Sequence, residues 1–87
     1  MWRVELDRKA ERQLQRLGTA DQRRVRAFIN GRLLAAPDPR AMGAALTGGF
    51  SGLWKYRVGD IRIIADIRDD RLVILVIEIG NRRDIYR

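Results

Sequence analysis

The side chains best suited to chemistry in this sequence are cationic. Lys55, Arg57 and Arg62 fall close together, and Arg82, Arg83 and Tyr86 crowd the C-terminus. Arginine presents a planar fork of donors to phosphate oxygens, and lysine a compact point charge. An aromatic ring beside several arginines can stack on an unpaired base while the guanidinium groups hold the phosphates. These residue types suit a polyanion, with nucleic acid the first candidate. The composition narrows the chemistry further. The chain has no cysteine and no histidine. That removes thiol nucleophiles, disulfides, zinc clusters and the commonest general base. Asp66 is the one acid expected near the basic residues, and a lone carboxylate is a poor cage for Mg²⁺. No metal or other cofactor is expected.

The elements that must position these residues read as follows. Residues 2–6 (WRVEL) alternate as a short strand. Asp7 can cap a helix over RKAERQLQRL, with Ala10, Leu14 and Leu17 on one face and Gly18 as its C-terminal stop. Thr19 to Gln22 fits a capping box opening a second helix, whose stripe is Val25, Phe28/Ile29, Leu33 and Ala36. Pro37 ends that helix. Residues 40–52 show no period and read as a loop. Strand signals follow at 52–58, 61–68 and 71–79. The order β-α-α-β-β-β predicts an α+β domain, a helical hairpin on one face of a mostly antiparallel four-stranded sheet.

Gly59-Asp60 predicts a two-residue type II′ hairpin. That turn pairs Val58 with Ile61 and sets Arg57 directly opposite Arg62. Because side chains alternate, Lys55, Arg57 and Arg62 then share one face. Trp54, Tyr56, Val58, Ile61, Ile63, Ala65 and Ile67 share the other, which is apolar enough to meet the helices. Opposed arginines repel, so stability alone does not favour the placement. A phosphate platform requires it. A second tight turn at Asp69-Asp70 would set Arg62 beside Ile77 and Ile64 beside Leu75. Val73, Leu75, Ile77 and Ile79 would then border the basic face.

The whole chain, 87 residues, is read as one domain, 1–87. Its 18 Lys+Arg against 11 Asp+Glu give a net charge of +7, a field that draws polyanions. No apolar run approaches the ~20 residues that span a bilayer. The charged N-terminus is unlike a signal peptide, so a cytoplasmic location without membrane association is expected.

The sequence resembles the RelE/ParE toxin superfamily, its RelE branch in particular. The resemblance covers nearly the whole chain. It rests on LWKYRVGDIRIIADI (53–67), RLVILVIEIG (71–80) and NRRDIYR (81–87). It implies a microbial-RNase-like fold and the toxin role of a type II toxin–antitoxin system. The implied activity is metal-independent, ribosome-dependent cleavage of mRNA in the A site through 2′-OH attack. The implied partners are a RelB-like cognate antitoxin, the ribosome and mRNA. The family's basic active-site positions fall on Lys55, Arg57, Arg62 and Arg82, its catalytic tyrosine on Tyr86, and Arg83 belongs to the same RNA-binding tail. Relatives with this tail often carry His where this chain has Asn81, and Asn is no base at neutral pH. Two alternatives stand beside this reading: a ParE-like gyrase inhibitor without nuclease activity, and a degenerate homologue kept for its antitoxin contacts.

RNA cleavage needs the 2′-OH deprotonated, the phosphorane charge neutralised and the 5′-oxygen protonated. Lys55, set among arginines, is the candidate base, because neighbouring positive charge favours its neutral form. Arg57 and Arg62 would hold the phosphate. Arg82 or Arg83 would stabilise the leaving group, and Tyr86 would stack on or orient a nucleotide.

Overall fold

The tight turn at Gly59-Asp60 forms as the sequence predicts. Gly59 adopts φ 60°, and Leu72 is the one non-glycine residue with positive φ among the described residues. A positive φ at the first central position alone is the type II′ pattern. In the computed structural model, which describes residues 1–81, this turn joins β3 (Trp54–Val58) to β4 (Ile61–Arg68). Val58 pairs with Ile61, Arg57 with Arg62 and Lys55 with Ile64.

The remaining elements are β1 (Arg3–Leu6), α1 (Arg8–Arg16), α2 (Thr19–Ala27), β2 (Ala44–Ala45) and β5 (Val73–Asn81). The sheet order is β1-β5-β4-β3-β2, with β1 parallel to β5 and the other neighbours antiparallel. The core lies between the helices and one sheet face. Ala10, Leu14, Val25, Phe28, Ile29 and Leu33 pack there against Tyr56, Ile61, Ile63, Ala65, Ile74, Val76 and Ile79. No helix among the described residues is long and apolar enough to cross a membrane.

Local chemistry explains most boundaries. The Asp7 carboxylate accepts from the Ala10 amide at 2.8 Å, capping α1. Gly18 is not a left-handed stop. It is extended, at φ −60°, and serves as N-cap of α2 in place of Thr19. Gln22 does not close a capping box. Its amide donates back to the carbonyls of Leu17 (2.8 Å) and Gln15 (3.1 Å), satisfying the last turn of α1. After Ala27 the second helix continues as a π-helical segment, Phe28–Leu33. The Leu34 amide there bonds to the carbonyl of Ile29. Where β1 stops pairing with β5, the side chain of Gln13 accepts from the Ile79 amide at 2.8 Å.

Two differences from the sequence expectation matter. The stretch 40–52 is not wholly loop. It contains a 3₁₀ turn, Pro39–Met42, and then β2, a fifth strand on the β3 edge. Two alanines carry no periodic signal, and their pairing follows from the close approach of Gly43 to β3. The second hairpin is also wider than a two-residue turn. Arg68 pairs with Val73, and a register shift at Ile64/Ala65 follows. Arg62 therefore faces Gly80 and not Ile77, and Ile64 faces Glu78 and not Leu75. Ile79, expected on the basic face, lies in the helix-side core at 1% exposure. Asp69-Asp70 alone gave no indication that Leu72 would turn left-handed at φ 53° and lengthen the loop.

Tyr56 ties the 3₁₀ turn to the sheet. Its side chain is buried, and its hydroxyl donates to the Pro39 carbonyl at 2.9 Å. Burial pushes the phenol up from 10.0 to about 12, partly offset by Arg40. The folded state thus holds this proton more tightly than the unfolded chain. The resulting stability is fully present below pH 10.0 and is lost as pH rises towards about 12. Urea titrations across this window should show that decline, and Tyr56→Phe should flatten it. At neutral pH Tyr56→Phe should cost ~1–2 kcal/mol for the unpaired carbonyl. An unchanged alkaline slope in the variant would show that another group controls it.

Candidate functional site

The basic residues of the hairpin gather as the register requires. Lys55 and Arg57 extend from β3 and Arg62 from β4, on the face away from the helical core. Arg57 is exposed, Lys55 half-buried, and Arg62 only 9% exposed. Arg57 is steadied by its own turn, its Nε donating to the Gly59 carbonyl at 3.2 Å. On its other side Arg62 neighbours Gly80, which places no side chain beside it. The chain reaches Asn81 opposite Ile61, one residue from Arg62. Arg82, Arg83 and Tyr86, the tail residues expected in the same site, lie outside the described residues.

Lys55, Arg57 and Arg62 line a cleft of about 370 Å³, shared with Met42, Gly43, Ala44 and Tyr56. The β2 wall is a contribution that sequence reasoning missed. Ala44 pairs with Lys55, so the residues beside the lysine are small and leave the cleft open. The wall is held at its base. Asp38 caps the 3₁₀ turn by accepting from the Arg40 amide at 3.0 Å. Arg40 forms a two-pronged pair with Asp69 at 2.9 and 2.6 Å, and its guanidinium sits 5.8 Å from the Trp54 ring centre. The hydrogen bond from Arg40 holds the Asp69 carboxyl below its ordinary value, and the same bond raises Arg40. The pair thus staples the strap before β2 to the turn after β4. An Asp and an Arg twenty-nine positions apart gave no sequence signal for this contact.

Among the described residues, the acids nearest the cleft are engaged elsewhere. Asp66, expected on the basic face, accepts from Arg68 at 3.1 Å. Glu78 pairs with Lys9 of α1 at 3.1 Å. Among the described residues no group of three acidic, His or Cys side chains comes together to hold a metal ion. The cleft gathers two guanidinium groups and an ammonium on one side of the sheet, a set suited to a single anion. A phosphodiester has the charge, size and planar acceptor edges to match.

Gly43 permits the wall to approach β3. A Cβ at this position would lie 2.9 Å from the Lys55 carbonyl oxygen and 2.9 Å from Tyr56 Cε1. One of these neighbours is backbone and the other a buried ring, so neither yields cheaply. Gly43→Ala should destabilise the fold by ~1–3 kcal/mol. It should also weaken oligonucleotide binding at a temperature where the variant remains folded. Chemical denaturation and binding titrations on one preparation check both, and unchanged values would mean the wall is free to shift.

Comparison with known proteins places the chain. The model of the ParE toxin of type II toxin–antitoxin systems matches residues 4–86. Among curated proteins no relative matches the chain. Among solved structures it is similar to the RelBE2 toxin–antitoxin complex of Mycobacterium tuberculosis. There the TM-score is 0.84 and identity 23%, covering 93% of this chain and 98% of that one. It is similar also to the archaeal RelE–RelB complex of Pyrococcus horikoshii, with a TM-score of 0.71, 28% identity, and 95% and 97% coverage. YafQ of E. coli shares the fold at a TM-score of 0.72 and 12% identity, with both chains covered in full at 100%. With its two helices on one sheet face and a family match that spans nearly its whole length, the chain belongs to the ParE toxin family of type II toxin–antitoxin systems, within the RelE/ParE superfamily.

Proposed function

We propose that this toxin acts as a metal-independent endoribonuclease that cuts mRNA in the ribosomal A site. The observation that carries this reading is the convergence of Lys55, Arg57 and Arg62 on one cleft, with Arg57 paired directly to Arg62. In the proposed mechanism Arg57 and Arg62 hold the scissile phosphate and neutralise charge on the phosphorane. Lys55 takes the 2′-OH proton, the 2′-oxygen attacks phosphorus, and the bond to the 5′-oxygen breaks. That oxygen leaves protonated, giving a 2′,3′-cyclic phosphate and a 5′-hydroxyl. Arg82 and Arg83 stabilise the leaving group and the flanking strand, and Tyr86 stacks on or orients a nucleotide. Without a histidine the chain has no strong general acid of its own, since arginine gives up its proton too reluctantly. The ribosome would supply orientation and water the proton. In this reading residues 1–87 are one toxin domain working in the cytoplasm without a membrane. A RelB-like antitoxin silences it, as the RelE–RelB and RelBE2 complexes suggest by likeness.

A second reading is favoured by the family model, which is that of ParE. Under it the same basic face binds DNA gyrase and no RNA is cut.

The test is a cell-free translation reaction with a defined mRNA, cut positions mapped by primer extension. The wild-type chain should cut translated mRNA and spare the same mRNA lacking its start codon. A 2′-deoxy nucleotide at the cut position should block cleavage. Arg62→Ala and Tyr86→Ala should each lower cleavage by at least ~100-fold. Because Arg62 is largely buried, its loss removes packed aliphatic stem as well as charge. Its melting temperature should fall by no more than ~4–8 °C, equivalent to ~1 kcal/mol. Intact mRNA together with inhibited supercoiling by gyrase would establish the second reading.

A further inference from the structure

The arginines of the second helix are not accounted for by the sheet-face cleft. A separate groove of about 450 Å³ runs between α2 with its π-helical extension and the β3–β4 turn. Arg24, Arg32 and Arg57 line it over a floor that includes Phe28, Val58 and Gly59, and none of its lining residues among the described ones is acidic. Two guanidinium groups converge on the turn. Arg57 Nε donates to the Gly59 carbonyl, and Arg24 Nη1 lies 4.0 Å from where a Gly59 Cβ would stand. Arg32 sits 5.9 Å from the Phe28 ring centre, which holds its head over the floor. Arg24 has a partner, Asp21, at 3.7 Å, but both side chains are well exposed. Such a pair contributes little and exchanges readily for a better anion.

Arg57 lines both this groove and the sheet-face cleft. The two basic depressions therefore meet at one residue, one on the sheet face and one on the helix side of the same hairpin. We propose that the groove is a second phosphodiester-binding site. A single RNA strand held at Lys55, Arg57 and Arg62 continues past the β3–β4 turn to Arg24 and Arg32. Three guanidinium forks, of which only Arg24 has an acidic partner beside it and that one weak and exposed, on a chain of net charge +7, match the evenly spaced charge of a nucleic-acid backbone. The inference rests on the proposed RNA reading for the identity of the strand. The groove itself rests on the geometry above.

Fluorescence anisotropy with labelled single-stranded oligouridylates tests it on the full chain. One probe is short, about four nucleotides, and fills the cleft alone; the other is about sixteen. The double variant Arg24→Ala/Arg32→Ala should bind the long probe roughly tenfold more weakly and the short probe as wild type does. For two lost phosphate contacts on a single strand, the log–log salt slope for the long probe should shrink by about 1.4. Arg24→Lys/Arg32→Lys, which keeps the charge, should restore most of the affinity. Equal loss on both probes, or none on the long one, would overturn the proposal. So would an oligoglutamate peptide that loses binding in the alanine variant while RNA binding persists, which would assign the groove to an acidic protein segment. Cleavage in the translation reaction separates the two claims. A wild-type chain that never cuts mRNA but keeps the length-dependent binding sinks the nuclease reading alone. One that cuts, with groove variants binding the long probe normally, sinks this one alone.

Discussion

The structure turns on the left-handed backbone at Gly59. Its φ of 60° closes the β3–β4 hairpin in two residues, and side-chain period 2 does the rest. Tyr56, Ile61, Ile63 and Ala65 are sent to the helices, and Lys55, Arg57 and Arg62 to the opposite face. Any side chain at this position would have to adopt a conformation that L-residues reach at a cost of roughly 1 kcal/mol. A slip of one residue would bury the cations and expose the core. Core and candidate site are therefore two faces of one register.

The consequence is a like-charge contact built into the sheet. Arg57 stands opposite Arg62, and only Arg57 extends freely into solvent. Like charges directly opposite each other on neighbouring strands disfavour folding. The core on the other face must offset this. In the proposed function a phosphate would reverse the sign, attracted by both guanidinium groups at once. The supporting contacts among the described residues keep this arrangement in place. Asp66 is taken by Arg68, Glu78 by Lys9 and Asp69 by Arg40, so these three carboxylates are paired with other cations.

The sequence carried the parts that local chemistry determines. The Asp7 cap, the apolar helix stripes and the Gly59-Asp60 register are all legible, and that register by itself places Lys55, Arg57 and Arg62 together. What escaped depends on contacts distant in the chain. Ala44–Ala45 pairs with β3 because Gly43 lets the strap approach, not through any propensity of alanine for strands. The β4–β5 offset depends on a left-handed leucine and a register shift, and neither leaves a pattern. The Gln22 and Gln13 side chains satisfy backbone groups of neighbouring elements, a job that any exposed amide in sequence could do. The tail residues Arg82, Arg83 and Tyr86 were legible only through family resemblance.

Whether the opposed arginines act on one phosphate is the central claim, and a double-mutant cycle on cleavage addresses it most directly. Arg57→Ala, Arg62→Ala and the double variant would be compared with wild type for the rate of mRNA cleavage in a single-turnover translation reaction. If both guanidinium groups hold the same phosphate, each single loss removes most of the rate. The double variant should then be little slower than the worse single one, a strongly non-additive cycle. Strictly additive losses would place the two arginines on separate contacts, and an Arg57/Arg62 double variant that cuts as wild type would remove the basic face from the chemistry altogether.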